Sequence, residues 1–185
     1  EWIREVLKKE INTYNLLRGG IRQRQNPHIY VFWIMHATKF LKPNGRLGMI
    51  ISNLWLQTDY GIKFGNFLLD HFKIKAIIDI PLRLFTALIT TTVILLEKCN
   101  DERERYNNET TFIRIPNSVE DIEADLLLNC IEKKECNNLF VNRVKQENIS
   151  RKSKWLRYFF KSFTALEKSP KSCLLGDLYE INKGN

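Results

Sequence analysis

Five basic residues in the last quarter of the chain are the first whose type and spacing suggest a chemical role. They are Lys145, Arg151, Lys152, Lys154 and Arg157. Lysine and arginine side chains contact the phosphates of a nucleic acid without reading its sequence, and each contact adds salt dependence to binding. The cluster therefore favours contacts with a DNA backbone, although a solvated polar face explains any single one of the five equally well.

The net charge of +8 is concentrated around these residues. Residues 140–185 contain ten lysines and arginines against four acidic residues, whereas residues 1–139 carry a surplus of only two positive charges. A basic C-terminal part favours a polyanionic partner, but a lysine-rich proteome produces the same bias. Charge alone leaves both explanations open.

Cysteine and histidine, the usual ligands of transition metals, show no spacing that is typical of a metal site. The four cysteines are scattered without a CxxC pair, and the three histidines stand at no ligand spacing. We therefore predict reduced, structural thiols and no metal. No apolar run approaches the roughly 20 residues needed to cross a bilayer, and no signal peptide is recognisable, so we predict a soluble, cytoplasmic protein.

The positions of apolar residues predict helices that alternate with strands over the first hundred residues. Residues 1–17 and 29–41 repeat apolar side chains at helical spacing, and the second stretch ends in a Pro-Asn-Gly turn. A third helix, over about 59–72, begins at Thr58 or Asp59. This order of elements is typical of the C-terminal side of an open α/β sheet.

Three apolar runs, 46–52, 74–80 and 90–97, are predicted to be neighbouring strands of one sheet. The link from Ile80 to Thr90 is too short for a helical crossover, which normally needs a dozen or more residues. We therefore expect the last of these strands to run antiparallel to the other two. An open border of such a sheet is also a hazard for aggregation or dimerisation.

Shorter elements are predicted downstream of these strands. They are a charged loop, a strand and a helix, at residues 99–108, 110–115 and 118–133. A strand, a polar link and an aromatic-rich helix follow, at 140–144, at 146–154 and from Trp155. We place a domain boundary after residue 139, with 140–185 as a mostly helical linker and the start of a second domain. Both ends of the chain stop within a pattern, so we expect a fragment of a longer polypeptide.

The block from Tyr30 to Asn53 resembles a known family, the large adenine-N6 DNA methyltransferases of type IIG and type I restriction-modification systems. In that family a helix that begins with aromatic residues leads to LKPGG and the fifth strand of the sheet, and this chain has LKPNG at residues 41–45. Trp55-Leu56 and Asp59-Tyr60-Gly61 are similar to the loop and helix that follow. The family usually continues with a leucine and an arginine, where Phe64 and Gly65 stand here.

Later segments carry the same resemblance in the same order. Residues 74–80, Leu84-Phe85 and 90–98 are similar to the closing strands of the family's sheet and the phenylalanine-containing loop between them. Val144-Lys145-Gln146 with Trp155, and the segment 175–184, resemble the lead-in to a target-recognition domain. The resemblance implies that residues 1–139 form the C-terminal part of an incomplete Rossmann-like methyltransferase sheet.

The resemblance also implies a reaction and two site residues. The parent protein would transfer a methyl group from S-adenosylmethionine to the exocyclic nitrogen of adenine in a specific sequence of duplex DNA. Phe85 would stack on the extruded base, and Trp33 would lie beside the adenine ring of S-adenosylmethionine. The alternative for both side chains is packing in the core, where aromatic residues are usually found.

Two motifs of the family are missing from these 185 residues, namely the glycine-rich cofactor loop and the Asn-Pro-Pro-Tyr that holds the target amino group. The stretch Asn26-Pro27-His28-Ile29-Tyr30 lacks the second proline and precedes the wrong element, so we do not assign it as the catalytic motif. We assign no catalytic residue. The chain alone is expected to be inactive, with the missing N-terminal half of the same polypeptide as its partner.

Two other classes of function remain open from the sequence. One is a non-catalytic nucleic-acid-binding or specificity module, in which the basic C-terminal half recruits DNA or RNA and the α/β half is a scaffold. The other is an α/β enzyme that acts on small molecules. A glycine-rich turn and an Asn-Pro-Pro-Tyr encoded upstream of Glu1 would distinguish the methyltransferase from the binding module.

Overall fold

A five-stranded sheet forms the centre of the molecule. The computed structural model describes residues 9, 28–81, 90–118, 123–132, 136 and 139–160. The strands are β1 (Arg46–Ser52), β2 (Phe72–Ile80), β3 (Thr91–Lys98), β4 (Glu109–Arg114) and β5 (Phe140–Lys145). Their order across the sheet is β1-β3-β2-β4-β5. The predicted α/β class is confirmed, and all five strands lie where the sequence patterns placed them.

The directions of the strands determine which strand ends lie at the same border of the sheet. β3 runs antiparallel to both of its neighbours, β1 and β2, whereas β2 and β4 are parallel and β5 is antiparallel to β4. The direction predicted from the short link between Ile80 and Thr90 is therefore confirmed. The C-terminal ends of β1, β2 and β4 lie at one border of the sheet, which we call the carboxyl edge, and we call the opposite border the amino edge.

Helices cover both faces of this sheet. Within the described residues they are α1 (Ile29–Phe40), α2 (Asp59–His71), α3 (Glu102–Asn107) and α4 (Ala124–Ile131), with 3₁₀ segments at Asn53–Leu56, Gln146–Asn148 and Trp155–Phe159. The larger core contains buried side chains of α1 and α2 together with Ile77, Ile94 and Phe112 of the sheet. Ile78 and Ile113 belong to a second core with Cys130 of α4, because successive residues of a strand point to opposite faces.

The predicted turn between α1 and β1 is confirmed, and Lys98 holds it in place. Asn44 adopts a φ of 62°, in the left-handed region that asparagine tolerates better than most residues. The Asn44 N–H donates to the Lys98 carbonyl at 2.9 Å. The Lys98 ammonium donates to the carbonyls of Thr38 and Leu41 at 2.9 and 2.8 Å. A cation therefore satisfies the last carbonyls of α1 and ties the helix to β3.

Residues 140–160, which are the described part of the predicted linker, pack on the same sheet. β5 pairs along the length of β4, and the side chains of Trp155 and Phe159 are buried beside Phe112. The described part of the predicted aromatic-rich helix is the 3₁₀ segment that begins at Trp155. The division of the chain into two domains after residue 139 stays a prediction.

The ring of Trp155 explains why this chain has glycine at position 65, where the family usually has another residue. A Cβ atom at this position would lie 2.8 Å from two carbons of the Trp155 ring, a distance that real Cβ atoms essentially never show. The same ring contacts Trp55, with centroids 5.6 Å apart, and its Nε1 donates to the Ser150 carbonyl at 3.1 Å. An arginine at position 65 would displace Trp155, so glycine is required where residues 150–160 cross α2.

The predicted charged loop over 99–108 is wrong, because this segment contains the short helix α3. Asp101 caps the helix, its carboxylate accepting from the N–H of Glu104 at 3.1 Å. The Arg105 guanidinium donates to the carbonyls of Cys99 and Leu69 at 2.7 and 3.1 Å. The high charge of the segment reflects its exposure, and these hydrogen bonds dock a solvated helix beside the end of α2.

The prediction of reduced thiols is also wrong for two of the four cysteines. Cys130, at the end of α4, and Cys136 form a disulfide bond, whereas Cys99 is a free, buried thiol. Cys173 lies outside the described residues. Across the ranges described above, no helix is long and apolar enough to cross a membrane.

Candidate active-site edge of the sheet

A cluster of polar side chains joins the strand ends at the carboxyl edge. Asn53, the residue after β1, donates through Nδ2 to a carboxylate oxygen of Asp79 near the end of β2, at 3.1 Å. The Thr90 hydroxyl, just before β3, donates to the Asn53 side-chain oxygen at 2.7 Å. The Asn53 N–H also donates to the Thr90 carbonyl at 3.1 Å. Asn53 therefore connects the end of β1 to the end of β2 and to the start of β3.

Arg114, the last residue of β4, extends this cluster to a fourth strand. Its guanidinium lies 3.3 Å from the second carboxylate oxygen of Asp79. The Asp79 side chain is only 2% exposed, against 29% for Arg114. The guanidinium also lies over the ring of Phe160, 4.4 Å from the centroid, in a cation–π contact. The last described residue of the chain is thus held against the carboxyl edge.

The electrostatics of Asp79 are dominated by its burial. Loss of hydration raises the pKa of this carboxyl group above its ordinary value, because burial disfavours the charged form. The hydrogen bond from Asn53 and the positive charge of Arg114 act in the opposite direction and offset part of the effect. The cluster therefore keeps a titratable group in a site with little water, as functional sites often do.

Two tyrosines at the starts of α1 and α2 lie at the same edge. The hydroxyls of Tyr30 and Tyr60 are 2.9 Å apart, and the ring of His28 stacks on Tyr30 with centroids 5.6 Å apart. Burial and the hydrogen bond to Tyr60 raise the pKa of Tyr30 above its ordinary value. The pair fixes the beginnings of both helices beside the strand ends.

Trp33 lies one helical turn after Tyr30 and does not pack in the core. Its side chain is 60% exposed, while its neighbours Phe32 and Ile34 are buried. Within this chain Trp33 is thus not part of the described core, and its assignment to the cofactor stays a prediction. The structure leaves an indole ring accessible near the start of α1, on the helix that begins at the carboxyl edge.

Phe85 lies outside the described residues, but the residues on both sides of its loop are described. Pro81 follows β2 and Thr90 precedes β3, so both of these residues lie at the carboxyl edge. Thr90 is held by the two hydrogen bonds to Asn53 given above. The assignment of Phe85 to base stacking stays a prediction.

The five basic residues of the predicted DNA contact have different partners in the structure. Lys145 ends β5 at the amino edge and lies 3.7 Å from Glu147. Arg151 and Lys154 pair with carboxylates near opposite ends of α2, Asp70 at 2.8 Å and Asp59 at 3.2 Å.

The two remaining basic residues differ in their surroundings. The Arg157 guanidinium donates to the Ser153 hydroxyl at 3.1 Å, whereas Lys152 is exposed and has no ion pair with the described residues. Lys145, Arg151 and Lys154 therefore each have an acidic partner among the described residues.

Sequence reasoning missed the carboxyl-edge cluster, whose members are Asn53, Asp79, Thr90 and Arg114. A signal was present, because a charged residue inside the apolar run IIDI, residues 77–80, requires a partner if the run is a buried strand. The identity of that partner was not readable from the local sequence. Among the described residues no group of three or more histidines, cysteines or carboxylates is placed to hold a metal ion.

Comparisons with known proteins agree with this architecture. Residues 2–85 match the model of the Eco57I restriction-modification methylase family. The type II methyltransferase M.BstVI of Geobacillus stearothermophilus is 35% identical over 76 residues, which are 41% of this chain and 12% of that protein. The chain therefore matches only about an eighth of this relative.

Two solved structures show the same fold at low sequence identity. The type IIG restriction endonuclease BpuSI superposes with a TM-score of 0.60 at 14% identity, covering 89% of this chain and 20% of that one. The type I methyltransferase subunit from Streptococcus thermophilus gives 0.55 at 22% identity, covering 70% and 30%. The predicted resemblance of this chain to the methyltransferases of restriction-modification systems is thereby confirmed.

Proposed function

We propose that the protein containing this chain is a DNA adenine-N6 methyltransferase of a restriction-modification system, with S-adenosylmethionine as methyl donor and duplex DNA as substrate. The observation that carries the proposal is the match of residues 2–85 to the Eco57I methylase model. The sheet is consistent with it, because β1, β2 and β3, which resemble the closing strands of such a methyltransferase, are neighbours and β3 runs antiparallel to the other two. The match to M.BstVI adds a relative whose name states methyl transfer.

The carboxyl edge is where this reaction would take place. In open α/β sheets, ligands bind outside the carboxyl ends of the parallel strands. Phe85 stands in the sequence between Pro81 and Thr90, two residues that lie at this edge. We assign its ring to one face of the extruded adenine, since an extruded base is held by stacking between aromatic or apolar side chains.

Trp33 fits a role in holding the cofactor. Its indole is 60% exposed on α1, and an exposed aromatic face suits the flat adenine ring of S-adenosylmethionine. The cofactor supplies the methyl group when it is bound. Because the glycine-rich loop and Asn-Pro-Pro-Tyr are missing from these 185 residues, we assign only the adenine ring of the cofactor to this chain and no proton transfer to any of its residues.

The five basic residues are proposed to contact DNA phosphates. Lys152 is exposed, so it is available without rearrangement. Lys145, Arg151 and Lys154 would exchange an exposed carboxylate partner for a phosphate. Such exchange costs little, because exposed ion pairs contribute only about 0–1 kcal/mol.

The proposal is tested by methylation of duplex DNA by the full-length protein, with the 185-residue chain alone expected to transfer no methyl group. We expect Phe85→Ala to weaken base capture by about 1–3 kcal/mol, the usual value for stacking on one base, and Phe85→Tyr to retain much of the activity. A mismatched target adenine should partly rescue Phe85→Ala, because a mismatch makes extrusion easier. The matched control is Phe40→Ala, since Phe40 is 76% exposed on α1.

Three outcomes would contradict parts of this proposal. A full-length protein that binds duplex DNA but methylates none of its adenines would favour the non-catalytic specificity module. An alanine variant of Phe85 that melts early and gains nothing from the mismatch would show that Phe85 packs in the core instead of stacking on the base. Methyl transfer by the 185-residue chain would show that the missing motifs are not required.

A further inference from the structure

Two members of the carboxyl-edge cluster, Asn53 and Thr90, lie just outside the hydrogen-bonded ladder of the sheet, whereas Asp79 and Arg114 are paired residues of β2 and β4. The ladder ends with the pairing of Ser52 and Ile80 to Thr91 on β3. Asn53 and Thr90 are the next residues beyond it, and the hydrogen bonds between them continue past the last strand pair. The cluster therefore extends from the last pair of β2 and β4 to the residues where the chain leaves β1 and enters β3.

We infer that Asp79 is a positioning residue for the methyl transfer, holding the carboxyl edge in the geometry that receives the extruded base. This inference rests on the proposed function. One carboxylate oxygen of Asp79 accepts from Asn53 and the other faces Arg114, so a single buried side chain fixes the end of β1 relative to the end of β4. A neutral or shorter side chain could not serve both partners.

Arg114 extends the same arrangement to the chain that leaves the sheet. Its guanidinium is placed between Asp79 and the ring of Phe160, the last described residue before 161–185. Through Asn53 the cluster also includes Thr90, the residue before β3. Asp79 would therefore fix Asn53 and Arg114 relative to each other at the edge proposed to receive the base.

The test compares Asp79→Asn with Glu97→Gln in the full-length protein. Asparagine keeps the shape of Asp79 and an oxygen for Asn53 but removes the charge that faces Arg114. Glu97 is the matched control, because it is a largely buried carboxylate at the amino edge that pairs with Lys73, Lys75 and Arg46. Methylation kinetics and DNA affinity would be measured well below the melting temperature of each variant.

Misplacement of reacting groups by a distance of order 1 Å reduces rate by on the order of 100-fold. We therefore expect Asp79→Asn to lower kcat by roughly 10–100-fold while the Kd for duplex DNA changes by less than about threefold. Glu97→Gln should keep kcat within about threefold of wild type, since the amino edge is remote from the reaction. Arg114→Lys, which preserves the positive charge, should retain more activity than Arg114→Gln.

Any of the following outcomes would overturn the inference. A folded Asp79→Asn protein with wild-type kcat would show that the cluster has no positioning role, and equal losses in Asp79→Asn and Glu97→Gln would show a general structural effect. If Asp79→Asn does not fold, equal activity of Arg114→Lys and Arg114→Gln decides against the inference. A wild-type protein that methylates no DNA would remove the proposed function and this inference with it.

Discussion

Two clusters of hydrogen-bonded polar side chains, which we call ties, connect strands at the amino and the carboxyl edge of the sheet. The two ties differ in charge. The tie at the amino edge is built from neutral amides. The Gln146 side chain accepts from the N–H of Ile74 at 3.1 Å and donates to the Phe72 carbonyl at 2.8 Å. Asn108 donates both to this Gln146 oxygen and to the Ile74 carbonyl. These bonds satisfy the backbone of β2 next to the irregularity between Ile74 and Ala76.

The tie at the carboxyl edge also connects several strands, but it contains a buried charge. Asp79 connects the residue after β1 to the last residue of β4, and its side chain is almost fully buried. Neutral amides that find their partners stabilise a fold at modest cost in lost hydration. A buried ion pair loses the hydration of two ions, and apolar replacements are often equally stable.

The difference between the two edges indicates different roles. The amide tie joins β2 to the residues before β4 and after β5, and the ion pairs of the amino edge, around Glu97, join β1, β2 and β3. At the carboxyl edge a charged pair instead joins β2 to β4, and it lies where the proposed reaction takes place. Removing one member from each tie tests whether the two edges have different roles.

The largest effect is expected for Arg114→Ala, which leaves the Asp79 carboxylate buried without its cation. Removal of one partner from a buried ion pair typically costs 3–5 kcal/mol. We expect about 3 kcal/mol of unfolding free energy, the low end of that range, because the Arg114 side chain is partly exposed. Urea denaturation at neutral pH measures it.

The matched control for Arg114→Ala is Arg46→Ala on β1. The Arg46 side chain is 86% exposed and lies 3.9 Å from Glu97. An exposed ion pair contributes about 0–1 kcal/mol, so this substitution should change the unfolding free energy by no more than that. Equal losses in the two variants would show that Asp79 and Arg114 behave as an ordinary surface pair.

A smaller loss is expected for Gln146→Ala at the amino edge. The substitution leaves the N–H of Ile74 and the carbonyl of Phe72 without their side-chain partner, and each unsatisfied buried group costs about 1–3 kcal/mol. We expect about 2 kcal/mol in total, because water can enter the space that the side chain leaves. Gln57→Ala, at an exposed glutamine, is the control and should stay within about 0.5 kcal/mol of wild type.

The sequence predicted what depends on neighbouring residues. The direction of β3 followed from the short link between Ile80 and Thr90, and the turn before β1 followed from its proline, asparagine and glycine. Both features are local, because chain length and backbone conformation restrict them directly. The α3 helix was missed because its high charge resembles that of a loop, although Asp101 is a good N-cap.

The sequence did not predict features that depend on distant partners. Gln146 was assigned to a polar link, yet it is 2% exposed and bonded to residues more than 70 positions away. From the sequence, Gly65 is only a departure from the family pattern. The side chain that requires a glycine there, Trp155, lies 90 positions later. Burial of a polar or small residue is decided by the side chain that it meets in three dimensions.

The smallest expected effect, a pH dependence, is also the most specific to the charged tie. Burial raises the pKa of Asp79 in the folded protein above its ordinary value of 3.8, and the groups that oppose this shift are Asn53 and Arg114. Below pH 3.8 the carboxyl group is protonated in both states, so no charge has to be buried. As the pH rises through the raised pKa, the unfolded chain is already ionised, and the folded protein loses stability by linkage.

Asn at position 79 carries no charge at any pH, so the comparison with wild type isolates this group. The unfolding free energy of wild type minus that of Asp79→Asn should fall as the pH rises from about 3.8 and become constant once Asp79 is ionised in both states. The corresponding difference for Gln146→Ala should not follow this curve, because neither Gln146 nor Asn108 titrates. Urea denaturation of the three proteins at a series of pH values gives both differences. A difference for Asp79→Asn that rises with pH would mean that Arg114 and Asn53 outweigh burial, and the two edges would then differ only in which residues form the tie.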